Sequence, residues 1–265
     1  MTTTIPSHVA PIAQHKRVHL FVPCYIDQLY PDVAMATATV LIKAGCTVEF
    51  DPRQTCCGQP MANSGCAGDA AKLARRHLDL FRGKVTVCPS GSCTSMVRNH
   101  YQHGLGLDLN DADRETMANT FELSEFLVDH LGIDDVGARF PHTVAVHQSC
   151  HGLRELGLGS MSERGGAVVP SQVERLLRKV RGLTLVLPER RDECCGFGGT
   201  FAVAEDGLSA RMGQDRCAQL AATGAAYMTG GDMSCLMHLE GIRARLPAAQ
   251  RGPQAIHFAE ILACA

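Results

Sequence analysis

Cysteine is the residue type in this sequence that points most directly to chemistry. The chain of 265 residues contains 13 cysteines, and an odd number does not suit a framework of disulfides. In a reducing compartment, clustered cysteines more often bind metals or take part in catalysis. The order of the cysteines along the chain indicates which of them belong together.

The same order of cysteine motifs occurs twice. In each half an apolar run leads to a first cysteine, a Cys-Cys-Gly tripeptide follows, a second apolar run leads to a fourth cysteine, and a short apolar segment closes the half. The two sets of four, called the first and second quartets, are Cys24, Cys56, Cys57 and Cys93, and Cys150, Cys194, Cys195 and Cys235. Chance rarely repeats such an arrangement, so we interpret the chain as an internal duplication.

The Cys-Cys-Gly tripeptide favours a polynuclear metal cluster over a single ion. Adjacent side chains diverge, so two neighbouring thiolates reach two metal atoms more readily than they share one. Glycine allows a positive φ, which lets the backbone wrap closely around a bound group. Iron-sulfur clusters are commonly held by four thiolates, and each half supplies four. A zinc ion closed by four thiolates is the alternative.

Short apolar runs alternate with helical segments in both halves. The predicted strands are residues 18–23, 47–50, 84–87, 143–147, 183–187 and 226–229. The predicted helices are residues 31–44, 67–81, 116–131, 171–180, 206–222 and 236–245. Strands separated by helices pair in parallel through right-handed crossovers. We predict an α/β fold of two similar parallel-sheet halves, related by pseudo-twofold symmetry, with the cysteines in strand-to-helix turns.

The boundary between the halves is predicted near residues 137–141. The first cysteine-rich domain then spans residues 1–139 and the second spans residues 140–265. No low-complexity linker occurs there, so we expect the two halves to pack together.

The motifs resemble those of the cysteine-rich CCG-domain family over residues 18–262. The similarity lies in TCCGQPMANSG and PSGSC in the first half, and in HQSCH, ECCGFGGTFAV and GDMSCLMH in the second. Within the family the sequence is most similar to the lactate-utilization A type of iron-sulfur subunit. Glycolate oxidase iron-sulfur subunits and the cysteine-rich subunits of heterodisulfide reductases are more distant relatives. The resemblance implies that the two quartets bind iron-sulfur clusters of the [4Fe-4S] type, one or two per chain, within a multisubunit complex that oxidises L-lactate to pyruvate.

The sequence departs from the fullest form of the family motif, which ends in Cys-x-x-Cys. Ser90 stands three residues before Cys93, and Asp232 stands three residues before Cys235. These changes count against the noncubane cluster of the heterodisulfide reductase relatives and leave the cluster type and number open. Cys88 is a possible replacement ligand in the first half. We interpret Asp232 as a cap of the following helix, with an oxygen ligand as the alternative.

Other residues near the motifs have a purely structural interpretation as well as a functional one. Three histidines flank motif cysteines: His147, His151 and His238. Their functional interpretation is a hydrogen bond to sulfur or the gating of protons, and the alternative is that they are ordinary turn or core residues. Four cysteines have no partner at a repeated position and are interpreted as small buried apolar residues: Cys46, Cys66, Cys217 and Cys264. No catalytic residue is identified.

Composition and missing motifs restrict the function further. The net charge of −2 argues against a nucleic-acid partner. No apolar run is long enough to span a membrane, and the N-terminal segment lacks the apolar core of a signal peptide. We therefore expect a cytoplasmic protein. GFGGTFA is not a G-x-G-x-x-G motif because Phe201 occupies the third glycine position. Oxidation of a hydroxy acid needs a cofactor such as flavin or NAD, and the sequence has no site for either. We therefore expect partner subunits, one of which carries ferredoxin-like clusters, and no activity of the chain alone.

Three hypotheses remain at this point. The first is a redox subunit that accepts electrons from L-lactate, glycolate or a related hydroxy acid. The second is thiol-disulfide or heterodisulfide reduction, against which the missing Cys-x-x-Cys members count. The third is a zinc-stabilised assembly module without catalytic activity.

Overall fold

A parallel sheet of four short strands organises the first half of the chain. The computed structural model describes residues 17–265. Most of the N-terminal segment on which the signal-peptide prediction rests, residues 1–16, lies outside the described part of the chain. The strands are β1 (Arg17–Leu20), β2 (Thr47–Glu49), β3 (Thr86–Cys88) and β4 (Thr120–Glu122). The helices are α1 (Cys24–Leu29), α2 (Pro31–Lys43), α3 (Gln59–Asn63), α4 (Ala67–Phe81), α5 (Gly91–Ser95), α6 (Tyr101–His103), α7 (Asp111–Ala118) and α8 (Leu123–Glu125). Turns of π-helix follow α5 and α8 over Met96–His100 and Phe126–His130.

The second half repeats this plan. Its strands are β5 (Thr143–Val146), β6 (Thr184–Val186), β7 (Tyr227–Thr229) and β8 (Gln254–Ala255). Its helices are α9 (Gln172–Leu177), α10 (Phe201–Ala204), α11 (Asp206–Ala222), α12 (Met233–Arg245) and α13 (Phe258–Ala263), with a π-helical turn over His151–Glu155 and 3-10 turns over Ser162–Arg164 and Ala248–Gln250.

The two sheets have the same topology. Their strand orders are β2-β1-β3-β4 and β6-β5-β7-β8, and all of these pairs are parallel. Leu20 is the register partner of Val87 in the first sheet, as Val146 is of Thr229 in the second. The predicted α/β fold with two related parallel-sheet halves is confirmed, and each predicted strand overlaps an observed one.

The predicted helix over residues 116–131 is wrong. Helix α7 ends at Ala118, the next residues form β4 at the edge of the first sheet, and a new helix starts at Leu123. The buried Glu122 accepts hydrogen bonds from the backbone N–H groups of Ser124 and Glu125, so it starts this helix. Strand β8, followed by α13, is the corresponding segment of the second half, and the sequence pattern does not predict it as a strand.

The segment that closes each half packs against the other half. Helix α13 lies on α2, where Lys43 Nζ donates to the carbonyl of Ala263 at 2.8 Å. In the opposite direction, α8 contacts α9, and Gln172 Nε2 donates to Asp129 Oδ2 at 2.8 Å. One continuous apolar core includes residues from both halves. The expected packing of the halves is therefore present, whereas the division at residues 139 and 140 stays a prediction.

Among residues 17–265, no helix has the length and apolar character needed to cross a membrane.

Candidate metal centre

All eight motif cysteines lie beyond the carboxyl ends of the first three strands of each half. In the first half Cys24 begins α1 after β1, Cys56 and Cys57 lie in the loop after β2, and Cys93 lies in α5 after β3. The second half places its quartet after β5, β6 and β7 in the same way. The strand order reverses between β1 and β3, and open α/β sheets bind ligands in the crevice at such a point.

The first quartet is compact. Cys24 Sγ and Cys56 Sγ are 3.7 Å apart, and Cys57 Sγ and Cys93 Sγ are 3.6 Å apart. A disulfide would bring the sulfur atoms to about 2.05 Å, and all of these cysteines are free thiols. The backbone N–H of Gly58 donates to Cys56 Sγ at 3.4 Å.

The second quartet has a matching arrangement with an added histidine. The backbone N–H of Gly196 donates to Cys194 Sγ at 3.3 Å, and that of Phe197 donates to Cys195 Sγ at 3.4 Å. The ligand atoms of Cys195, Cys235 and His147 all lie within 4.8 Å of one another. His147 is fully buried, and burial lowers its pKa to about 3. Its other neighbour is the guanidinium of Arg216, which is also fully buried.

Both quartets line a single cavity of about 340 Å³ between the two halves. This volume leaves room for a group much larger than a single water molecule. Gln59 Nε2 and His151 Nε2, 3.2 Å apart, join the halves at its wall. The sequence predicts compact quartets, but it does not reveal their shared cavity or the lining residues Tyr25, Gln59 and Phe197.

The glycine of each Cys-Cys-Gly tripeptide has the predicted positive φ. Gly58 has φ +92° and Gly196 has φ +88°. A Cβ on Gly58 would lie 3.2 Å from the carbonyl oxygen of Ala70, and one on Gly196 would lie 2.7 Å from that of Ser209. Glycine is therefore needed at both positions for its conformation and for the close approach of the cysteine loop to α4 or α11.

The cysteine pairs share protons when no cation is bound. The thiol hydrogen bond from Cys24 lowers the pKa of Cys56 and raises the pKa of Cys24. The bond from Cys150 likewise lowers the pKa of Cys194 and raises that of Cys150. Each pair thus favours one negative charge. Deprotonation of a whole quartet needs a bound cation, because metal ligation and loss of thiol protons are coupled.

The interpretation of Asp232 as a side-chain cap is wrong. It stands at the N-cap of α12, but its carboxylate makes no capping bond. It crosses to the first half instead and accepts hydrogen bonds from Ser90 Oγ at 2.7 Å, Ser92 Oγ at 2.7 Å and the Ser92 N–H at 3.0 Å. The two residues that replace the extra motif cysteines, Ser90 and Asp232, therefore bind each other.

The other residues singled out in the sequence differ in burial and in whether they line the cavity. Cys88 is fully buried next to Cys93 and does not line the cavity, and burial raises its pKa. His151 lines the cavity, whereas His238 lies at α12 beside the Cys195 loop and α11. Of the four unpaired cysteines, Cys46 and Cys217 are buried as expected, Cys264 is half-buried and Cys66 is exposed. The interpretation of Cys66 as buried is wrong, because it stands at the exposed N-cap position of α4.

Sequence reasoning missed Arg216. A buried arginine in the middle of a predicted helix resembles an ordinary surface residue. An alignment of the two halves could have pointed to Arg216. When Ser209 is placed opposite Ala70, Arg216 falls at the position of His77, which is also buried.

The donor set suits a group bound through sulfur. Each half offers four free thiols, and backbone N–H groups point at Cys56, Cys194 and Cys195. Asp232 also lines the cavity, but its carboxylate accepts hydrogen bonds from Ser90 and Ser92. Thiolate ligands with hydrogen bonds to sulfur are the usual surroundings of an iron-sulfur cluster. The residues present therefore fit such a group.

Comparison with known proteins adds the family. The model of the CCG cysteine-rich domain matches residues 18–98 and again residues 144–240. Lactate utilization protein A of Bacillus velezensis is 38% identical over 249 residues, covering 93% of this chain and 98% of that protein. Lactate utilization protein A of Oceanobacillus iheyensis is 35% identical over 252 residues, covering 93% and 96%. The chain therefore belongs to the CCG cysteine-rich family that includes the lactate utilization A proteins.

Proposed function

We propose that this chain is an iron-sulfur subunit of a complex that oxidises L-lactate to pyruvate. The observation that carries the proposal is the convergence of both quartets on one cavity between the halves. The name of the relatives, lactate utilization protein A, supplies the substrate. We assign the ligand role to the eight motif cysteines, and Cys88 is left outside the set because it does not line the cavity.

The bound cluster supplies one-electron redox chemistry, and the chain sets the conditions for it. The motif cysteines hold iron, while the N–H groups of Gly58, Gly196 and Phe197 donate to thiolate sulfur. Such hydrogen bonds and burial tune the reduction potential. The sequence has no motif for flavin or NAD, so we assign hydride removal from lactate to a partner and expect a further subunit with ferredoxin-like clusters.

Substrate-driven reduction tests this function. The chain is purified anaerobically with its partner subunits, and electron paramagnetic resonance follows its clusters after addition of L-lactate, glycolate or a disulfide. We expect reduction by L-lactate and no lactate oxidation by the isolated, cluster-loaded chain with an artificial acceptor. Reduction by glycolate alone would assign the glycolate oxidase role. Oxidation of reduced clusters by a disulfide, without any response to hydroxy acids, would assign the reductase role.

Zinc is the second candidate because of the spacing of the sulfur atoms. The 3.6 Å and 3.7 Å separations in the first quartet are close to the edge of a zinc-thiolate tetrahedron, roughly 3.8 Å for bonds of about 2.3 Å. The cavity shared by two quartets is much larger than one closed zinc site requires. Metal analysis separates the two candidates.

A further inference from the structure

His147 lies directly behind the second quartet and is held there from two sides. It follows β5, three residues before Cys150, and its backbone N–H donates to the Thr229 carbonyl at 2.7 Å. On its other side Arg216 Nε donates to His147 Nδ1 at 3.1 Å. Arg216 is itself fixed by hydrogen bonds to the carbonyls of Arg190 and Arg191.

This contact determines which ring nitrogen carries the proton. The guanidinium of arginine has only N–H donors and no acceptor. Nδ1 of His147 must therefore be the acceptor, and the proton of the neutral ring lies on Nε2. A protonated nitrogen has no lone pair for a metal, so His147 is not a ligand beside Cys195 and Cys235.

The Nε2–H group is left without a partner among the described residues. Nε2 is buried and makes no hydrogen bond, although buried polar groups are nearly always paired. The sulfur atoms of Cys195 and Cys235 belong to the same 4.8 Å group as the ring. A thiolate or another sulfur atom at this site would complete the hydrogen bonding of His147.

The first-half position equivalent to His147 carries no side-chain donor. Phe21 stands three residues before Cys24 and donates its backbone N–H to the Val87 carbonyl at 2.9 Å, so it corresponds to His147. His77, the counterpart of Arg216, packs its ring against Phe21 with centroids 4.7 Å apart. An arginine-histidine pair in the second half is thus replaced by two packed rings without a side-chain donor toward the quartet.

We propose that His147, oriented by Arg216, donates its Nε2–H to a sulfur atom at the second quartet, and that this donor makes the second half the site of higher reduction potential. A hydrogen bond to sulfur stabilises the more negative, reduced state, which raises the potential. The inference rests on the proposed function, since it needs clusters at both quartets. It makes His147 and Arg216 positioning residues that direct electrons toward the second half.

A redox titration of His147→Phe tests the proposal. This variant installs the side chain of the equivalent first-half position. We expect unchanged iron and sulfide, a lower midpoint potential for the second-half signal and an unchanged first-half midpoint. Double variants Cys56→Ser with Cys57→Ser, and Cys194→Ser with Cys195→Ser, assign each signal to its half. His147→Gln, whose amide N–H can still donate, should recover part of the shift.

Phe21→Leu is the matched control, since it changes the same buried position of the first half without removing a donor, and both midpoints should stay in place. Unchanged midpoints in a fully loaded His147→Phe protein would overturn the inference and leave the proposed function standing. Loss of second-half iron from a folded His147→Phe protein would also overturn it, because His147 would then be a ligand. A wild-type protein without sulfide would remove the proposed function itself, and this inference with it.

Discussion

The glycine of the second Cys-Cys-Gly tripeptide shows how one residue shapes the site. Gly196 combines φ +88° with a backbone approach to α11 that leaves no room for a Cβ. Gly224 also has a positive φ, +68°, but among the described residues no atom outside its own turn comes within 4 Å of the position that a Cβ would take. The two glycines therefore separate the cost of conformation from the cost of contact.

We predict that Gly196→Ala lowers the free energy of unfolding by more than Gly224→Ala. The left-handed conformation costs either alanine roughly 1–2 kcal/mol, and overpacking adds about 1–3 kcal/mol at Gly196 alone. Chemical denaturation of both variants measures the difference, and Gly196→Ala should also retain less iron. Equal losses of stability would mean that the loop moves away from α11 without cost.

The bond between Ser90 and Asp232 gives a second residue-scale prediction. We expect a double-mutant cycle of Ser90→Ala and Asp232→Ala to give a coupling energy of about 0.5–3 kcal/mol, because each variant leaves the other residue's buried group short of a partner. The pair Ser162 and Asp192, with an Oγ–Oδ2 distance of 2.8 Å, is the control and should couple more weakly, because Ser162 is exposed and Asp192 only half-buried. Additive losses of stability for Ser90→Ala and Asp232→Ala would contradict the interpretation that these two residues replace the extra motif cysteines as a hydrogen-bonded pair.

The sequence could reveal the cysteines but not the contacts between the halves. A repeated Cys-Cys-Gly is visible along the chain, and so is the absence of the extra cysteines at Ser90 and Asp232. That these two residues meet depends on how one half docks on the other, which no local pattern encodes. The same holds for Arg216, whose burial follows from tertiary packing.

At the scale of elements, the short edge strands mark the limit of sequence reasoning. Strands β4 and β8 have three and two residues, and each leads within two residues into a helix, α8 or α13. The strand and the helix therefore form one continuous apolar segment in the sequence, whereas the six predicted strands stand apart from the helices that follow them. The closing segments are recognisable as repeats, yet their packing on the opposite half is not.

Phe258 tests the importance of that packing. It is fully buried at the start of α13, the helix that lies on α2 of the first half. We predict that Phe258→Ala lowers the free energy of unfolding by about 3–5 kcal/mol. Spectroscopic signals from both halves should shift together during denaturation. A shift confined to the second half would show that α13 does not couple the halves.

At the scale of the whole molecule, stability should depend on pH through buried neutral histidines. His77 is enclosed by Phe21, Phe81 and Tyr101, and burial lowers its pKa to about 3. The unfolded chain takes up this proton below about pH 6.5, whereas the folded chain does not until about pH 3. Stability is therefore lost as the pH falls from about 6.5 toward about 3.

We predict that His77→Leu reduces this acid sensitivity. One such group costs about 1.4 kcal/mol per pH unit, or roughly 2 kcal/mol at about pH 5 relative to about pH 7. Leucine also removes a buried Nε2 that has no hydrogen-bond partner among the described residues. Denaturation curves at about pH 7 and about pH 5 compare the two proteins, and an identical loss of stability in both would contradict the prediction.

The central claim for the whole molecule is that two cysteine quartets in one cavity hold iron and sulfide. The most direct measurement is anaerobic purification followed by iron, acid-labile sulfide and zinc analysis, on the wild-type chain and on the double variants Cys56→Ser with Cys57→Ser and Cys194→Ser with Cys195→Ser. We predict iron and sulfide in near-equal amounts, reduced in each double variant by the share of the altered half. Zinc without sulfide would contradict the claim and make the chain a zinc-stabilised assembly module.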